Sequence, residues 1–188
     1  DIIFIKPNYD LYKNMSEIFF DFLKKYTDEI EVISIDECFM DVSKLVLLTH
    51  NNPKILAIQI QDNIFKKLNL PVSIGISDSK FFAKIASDFK KPLGISTLFK
   101  NEIQTKFLPL EIDKFVGIGQ AKIKILNSLN ILTMNDLLNY KDKVELKKIF
   151  GSSYQKIIDT IQGNINDDIV NKNKEIVKSI SRSNTFCN

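Results

Sequence analysis

Val72-Ser73-Ile74-Gly75-Ile76-Ser77-Asp78-Ser79-Lys80-Phe81-Phe82-Ala83-Lys84-Ile85-Ala86-Ser87-Asp88-Phe89 changes its hydrophobic period halfway along. Val72, Ile74 and Ile76 alternate with small residues, which predicts a strand with one buried face. From Lys80 onward, Phe81, Phe82, Ile85 and Phe89 recur at helical spacing, and Asp78 or Ser79 stands where an N-cap belongs. Lys80, Lys84, Ser87 and Lys91 fall on another face of the same helix. A strand that runs through a cap into an amphipathic helix belongs to a layered α+β or α/β fold.

Upstream the same alternation of elements holds. Ile2 to Ile5 reads as a buried strand closed by Lys6-Pro7. Asn8 can cap a helix to about Tyr26, whose apolar face includes Leu11, Met15, Ile18, Phe19 and Phe22. Val32 to Ile35 and Phe39 to Val42 are β-rich runs separated by Asp36, Glu37 and Cys38, which predicts a hairpin. Asn52-Pro53 opens a helix carrying Leu56, Ile60 and Ile64 and ending before Pro71. Residues 1–99 are therefore expected to form one mixed unit.

Downstream the strand signals stop after Phe99. Residues 100–163 read as short helices broken at Pro109, Gly117-Ile118-Gly119, Gly151 and Gly163, with Thr133 as the N-cap of one of them. Residues 164–188 read as a polar linker, rich in Asn, Asp and Lys to about residue 175, followed by an Ile176–Phe186 strand that opens a further domain.

The 188-residue chain is 44% hydrophobic and 26% charged, enough to bury a core and unlike a disordered segment. Its net charge of +3 permits a nucleic-acid partner without demanding one. The positive charge is almost all lysine, with Arg182 the single arginine, so phosphate contact is expected rather than bidentate base reading. Cys38 and Cys187 make no disulfide framework or CxxC site, which fits a reducing, intracellular (in a bacterium, cytoplasmic) setting. The longest apolar run, Leu45 to Leu48, is far too short to span a bilayer, and no membrane role is expected.

Three groups could carry chemistry. Asp36 and Glu37 are adjacent carboxylates at a bend; they form either a solvated acidic turn or a Mg²⁺ site of hard oxygen ligands. Lys80, Lys84 and Lys91 are either a solvated helix face or a clamp for a triphosphate. Gly117-Ile118-Gly119, followed by a helix from about Ala121 to Leu129, is either an ordinary helix–helix turn or an anion site of backbone amides with Lys122 and Lys124 nearby. His50 is expected to be solvated and Cys38 to pack without an activated thiolate.

The wording and order of these segments resemble one family. Ser34-Ile35-Asp36-Glu37-Cys38-Phe39-Met40-Asp41-Val42 is similar to the catalytic hairpin of Y-family DNA polymerases. Ser73 to Asp88, with Lys91-Pro92 and Gly94-Ile95, is similar to that family's next motif. Val116 to Gly119 resembles the helix-hairpin-helix of the thumb, and Lys178 to Arg182 resembles the lead into the little finger. The ImpB/MucB/SamB, DNA polymerase IV-like branch is the nearest in wording.

The resemblance implies a partial palm of antiparallel or mixed sheet with packed helices over residues 1–99, then a small all-helical thumb. It implies Asp36 and Glu37 as two of three catalytic, metal-binding carboxylates for two Mg²⁺ ions, and Lys91 as a contact to the dNTP triphosphate. It implies Gly117, Ile118 and Gly119 as holders of a DNA phosphate, with Lys122 and Lys84 as further DNA contacts. Primer-template DNA and dNTP would be the partners of a monomer. A sliding clamp is a further partner by resemblance, although no clamp-binding peptide is visible. The family's first metal-binding aspartate lies in an N-terminal strand that these residues lack, so the chain by itself is expected to be inactive. The competing expectation is a non-catalytic helix-hairpin-helix DNA-binding module. A palm-like nucleotide cyclase is more remote, because it has no need to grip DNA.

Overall fold

A computed structural model describes residues 2–50, 52–165, 167 and 169. The linker and strand expected beyond residue 169, and the Lys178–Arg182 motif, lie outside the described residues.

The first helix, α1 (Tyr9–Leu23), is capped by Asn8, whose Oδ1 accepts from the Leu11 amide at 3.1 Å. Strands β1 (Ile30–Val32) and β2 (Cys38–Met40) form an antiparallel hairpin with Glu31 opposite Phe39. Helix α2 (Ser43–Thr49) precedes α3 (Pro53–Leu68), which is capped by Asn52 and buries Leu56, Ala57, Ile60 and Ile64. Strand β3 (Ile74–Ile76), helix α4 (Lys80–Asp88) and strand β4 (Ile95–Thr97) form a crossover unit with the two strands parallel. Ser79, not Asp78, caps α4 by accepting from the Phe82 amide.

The class is α+β, with a correction of detail. Among the described residues the strands make two separate two-stranded sheets rather than one mixed sheet. Ile2 to Ile5 is irregular and 82–92% exposed, not a buried strand. A strand needs a neighbour to take its amides and carbonyls, and no described strand pairs with this segment.

From Lys100 to Ile161 the structure is built from helices and helical turns, beginning with a 3₁₀ turn (Lys100–Glu102), a π turn (Ile103–Phe107) and a second 3₁₀ turn (Ile112–Lys114). Four α-helices follow: α5 (Gln120–Ser128), α6 (Met134–Asn139), α7 (Lys143–Phe150) and α8 (Tyr154–Ile161). Thr133 caps α6 in a reciprocal box with Asp136. No helix among the described residues is long and apolar enough to cross a membrane.

The buried side chains fall into two clusters. One joins α1 and α3 beneath the hairpin and β3 through Phe19, Leu23, Leu56, Ile60 and Ile64. The other fills the helical half, and Phe82, Ile85, Ala86 and Leu98 from before residue 99 belong to it. Helix α4 is thus shared. Phe82 and Phe81 meet Phe107 edge-on at centroid distances of 5.1 and 5.9 Å, and Phe81 lies 4.9 Å from Phe115. The described part of the expected linker is not simply exposed: Ile165 packs on this second cluster, and Asp167 accepts from the Phe81 amide at 2.9 Å.

Candidate active site and nucleic-acid interface

The acidic loop is built by the hairpin's register. β1 ends at Val32 and β2 starts at Cys38, so the connection is the five-residue loop 33–37 rather than the three residues Asp36 to Cys38 expected from the sequence. The Glu37 carbonyl accepts from the Ile33 and Ser34 amides at 2.9 and 3.2 Å, closing that loop. Asp36 is exposed, and its Oδ1 accepts from Ser34 Oγ at 2.7 Å. Ser16 Oγ of α1 donates to the Ile35 carbonyl and ties the loop down.

Helix α4 presents its lysines to this hairpin. Glu37 Oε1 accepts from Lys84 Nζ in an ion pair with both side chains still partly exposed. One turn earlier, Lys80 Nζ meets Glu31 Oε2 at 2.7 Å, and this pair is far more shielded. Lys80 is therefore neither a solvated lysine nor an open phosphate ligand. Glu31 drew no attention in the sequence, although a carboxylate between Ile30 and Val32 must face whatever covers the strand. Lys91 pairs with Asp88 at 2.6 Å on the exposed end of the helix. The Asp88 hydrogen bond raises the Lys91 pKa, and the charges of Asp88, Glu37 and Asp36 push the same way, so Lys91 lies within their field. Burial pushes the Cys38 thiol up to about 12, consistent with a packed, unreactive side chain.

The position of α4 depends on a close approach. A Cβ at Gly75 would lie 2.5 Å from the Ser87 nitrogen and 2.9 Å from the Ala83 carbonyl carbon. Only glycine lets α4 lie directly on β3 and carry Lys84 to Glu37.

The second candidate region follows the Ile112–Lys114 turn. Gly117 has φ +107°, a conformation that L side chains rarely adopt, and Gly119 is the N-cap of α5. Ile118 is buried, and its amide bonds to the Phe115 carbonyl at 3.2 Å. A Cβ on Gly117 or Gly119 would meet nothing within 4 Å, so both face open space. Lys122 stands at the start of α5 with its ammonium 5.6 Å from the Phe150 ring centroid. Ile118 thus anchors the turn while the flanking glycines leave an approach to the backbone.

A divalent cation fits the acidic loop in kind but incompletely. Asp36 and Glu37 offer hard oxygens, Asp36 is open to solvent, and an ammonium already rests on Glu37. Among the described residues no group of three or more ligand side chains converges.

The sequence and fold that carry these two regions resemble known proteins. Residues 1–88 match the impB/mucB/samB family. A solved Y-family DNA polymerase chimera of Dbh and Dpo4 has a TM-score of 0.82 and 32% identity to this chain, covering 90% of it and 49% of the chimera. DinB from Sulfolobus solfataricus has a TM-score of 0.81 and 31% identity, covering 89% of this chain and 49% of its own. Over residues 1–88 the chain is thus similar to the impB/mucB/samB family, and over nine-tenths of its length it is similar to solved Y-family DNA polymerases. A curated relative from Ureaplasma parvum serovar 3, named DNA polymerase IV, is 38% identical over 186 residues, which cover 99% of this chain and 51% of the relative. The chain spans about half the length of the relatives it matches.

Proposed function

We propose that this chain contributes to template-directed DNA synthesis across damaged templates, holding part of the catalytic palm in residues 1–99 and a DNA-gripping thumb in residues 100–163, with α4 packed into both. The observation that carries the reading is the Asp36–Glu37 loop joined to the lysine face of α4 through Glu37 and Lys84. Support also comes from similarity to a chain described as an insertion ternary complex of Dbh DNA polymerase, at 31% identity and a TM-score of 0.79.

In this reading Asp36 and Glu37 hold Mg²⁺, which when bound would activate a primer 3′-hydroxyl and neutralise the departing pyrophosphate. Lys91, paired with Asp88 at the exposed end of α4, orients the dNTP triphosphate and offsets its charge. The Gly117–Gly119 turn is a helix-hairpin-helix element whose backbone takes a DNA phosphate, with Lys122 as a neighbouring cation. Positioning and charge neutralisation supply most of the rate, so little proton transfer by side chains is required. Among the described residues two carboxylates of one loop hold the ion incompletely, so by themselves they would bind Mg²⁺ weakly.

The test uses the complete polypeptide with a primed template and Mg²⁺. Asp36→Ala with Glu37→Ala should abolish primer extension and leave duplex binding nearly intact. Retained extension rules out the metal role. Extension and duplex binding lost together, with the fold intact, would point to the acids serving the DNA interface instead.

A further inference from the structure

Two lysines one turn apart on α4 meet two glutamates of the hairpin, yet the two pairs differ in kind. Lys80 and Glu31 are 19% and 11% exposed, sealed between helix and hairpin. Lys84 and Glu37 are 30% and 40% exposed at the mouth of the acidic loop. The sealed pair docks the helix. The open pair can exchange partners, because solvent reaches both groups and neither is committed by desolvation.

Resting on the metal reading above, we propose that Lys84 is a resident counter-cation for Glu37: its ammonium occupies the carboxylate until a divalent ion takes its place, so metal binding and release of Lys84 are one exchange. Three features support this. The Glu37 backbone is fixed by the Ile33 and Ser34 amides, so the carboxylate cannot swing away with its loop. The Lys84 backbone is fixed by the contact of α4 with Gly75, so parting the pair needs side-chain rotation only and no shift of helix or loop. Asp36, the preceding residue of the loop, is open to solvent and offers a second carboxylate to an entering ion. Lys84 then acts as a positioning residue: it neutralises Glu37 when no metal is present and sets the concentration at which the ion enters.

The sign of the effect follows. An ammonium seated on Glu37 both competes for the carboxylate and repels an approaching divalent ion, so removing it should tighten metal binding. A half-exposed pair of this type corresponds to about a two- to fivefold change in a dissociation constant.

The experiment titrates Mn²⁺ into the complete polypeptide without DNA or nucleotide and follows free Mn²⁺ by electron paramagnetic resonance. Lys84→Met should bind Mn²⁺ about two- to fivefold more tightly. Lys84→Arg should behave as the native protein, which a purely steric role would not produce. Circular dichroism checks the fold, and Lys84→Gln serves where the Met variant fails to fold. Equal or weaker Mn²⁺ binding in a folded Met or Gln variant overturns the exchange. Asp36→Ala with Glu37→Ala separates the two ideas. If that variant binds Mn²⁺ like the native protein, the metal reading itself fails. If it loses Mn²⁺ while Lys84→Met is unchanged, only the exchange fails.

Discussion

Replacing Gly75 by alanine adds a single methyl group at the tightest contact between β3 and α4. That carbon would sit 2.5 Å from the Ser87 nitrogen and 2.9 Å from the Ala83 carbonyl carbon, with the Ala83 oxygen nearer still. All three are backbone atoms of α4, so no side chain can rotate aside. Relief requires the helix to lift by about 1 Å, against the Lys80–Glu31 pair and the packing of Phe81 and Phe82 on Phe107. Overpacking costs typically about 1–3 kcal/mol, and the rigidity of both elements puts this site near 3 kcal/mol. For a chain of this size that is a fall of about 6–12 °C in Tm. Urea denaturation followed by circular dichroism measures it, with the slope expected to stay constant while the midpoint drops. A variant within about 0.5 kcal/mol of the native protein would refute the view that this approach fixes α4.

Lys80→Met should destabilise by about 2 kcal/mol, less than a fully buried pair because Lys80 retains some exposure, and adding Glu31→Gln should recover part of the loss in denaturant titrations. The Thr133 side-chain hydrogen bond, helped by the Thr133 and Leu132 amides, holds the Asp136 pKa below its ordinary value. Its contribution is therefore complete above about pH 4 and fades as pH falls. Thr133→Ala should cost about 1 kcal/mol at neutral pH and flatten this acid limb in melts run from pH 3 to 7. Gly119→Ala adds a methyl into open space at φ −76°, so Tm should stay put while duplex affinity falls; unchanged affinity across a salt series would remove Gly119 from the DNA interface.

Four of the eight α-helices among the described residues announced themselves through their caps. Asn8, Asn52-Pro53, Ser79 and Thr133 each stand before an apolar periodic run, and each makes its expected capping bond. The short strands were harder. Ile33 and Ile35 look like strand residues but lie in the hairpin loop, because two amides converging on the Glu37 carbonyl close the ladder at Val32. β-branched residues report a preference for extended backbone, not which partner supplies the hydrogen bonds. Helix α2 was missed because Val42 at its N-cap makes no side-chain bond; the signal was one residue earlier, where Asp41 accepts from the Ser43 amide at 2.8 Å. Strand β4 is three residues long and exists through its parallel pairing to β3, a contact across a crossover that no local pattern records. The acids and lysines of the site were legible as residue types. Which lysine meets which glutamate was not, since that depends on how α4 lies across the hairpin.

The geometry of α4 explains why one short helix carries so much of the sequence signal. Lys80 and Lys84, one turn apart, face the hairpin. Ala83 and Ser87, one turn apart, supply the backbone surface that touches Gly75. Phe81, Phe82 and Ile85 enter the cluster that also contains Phe115, two residues before Gly117. The acidic loop and the segment that leads into the glycine-flanked turn are therefore both referred to one helix, the first through Lys84 and Glu37, the second through Phe81 and Phe115. A flexible connection of the same length would let their separation drift. A helix packed on three sides holds it, because its backbone hydrogen bonds and its close-packed faces resist small shifts together. Substitutions inside α4 should consequently disturb both regions at once, whereas changes at Asp36 or Gly119, which lie beyond those contacts, should act on one region alone.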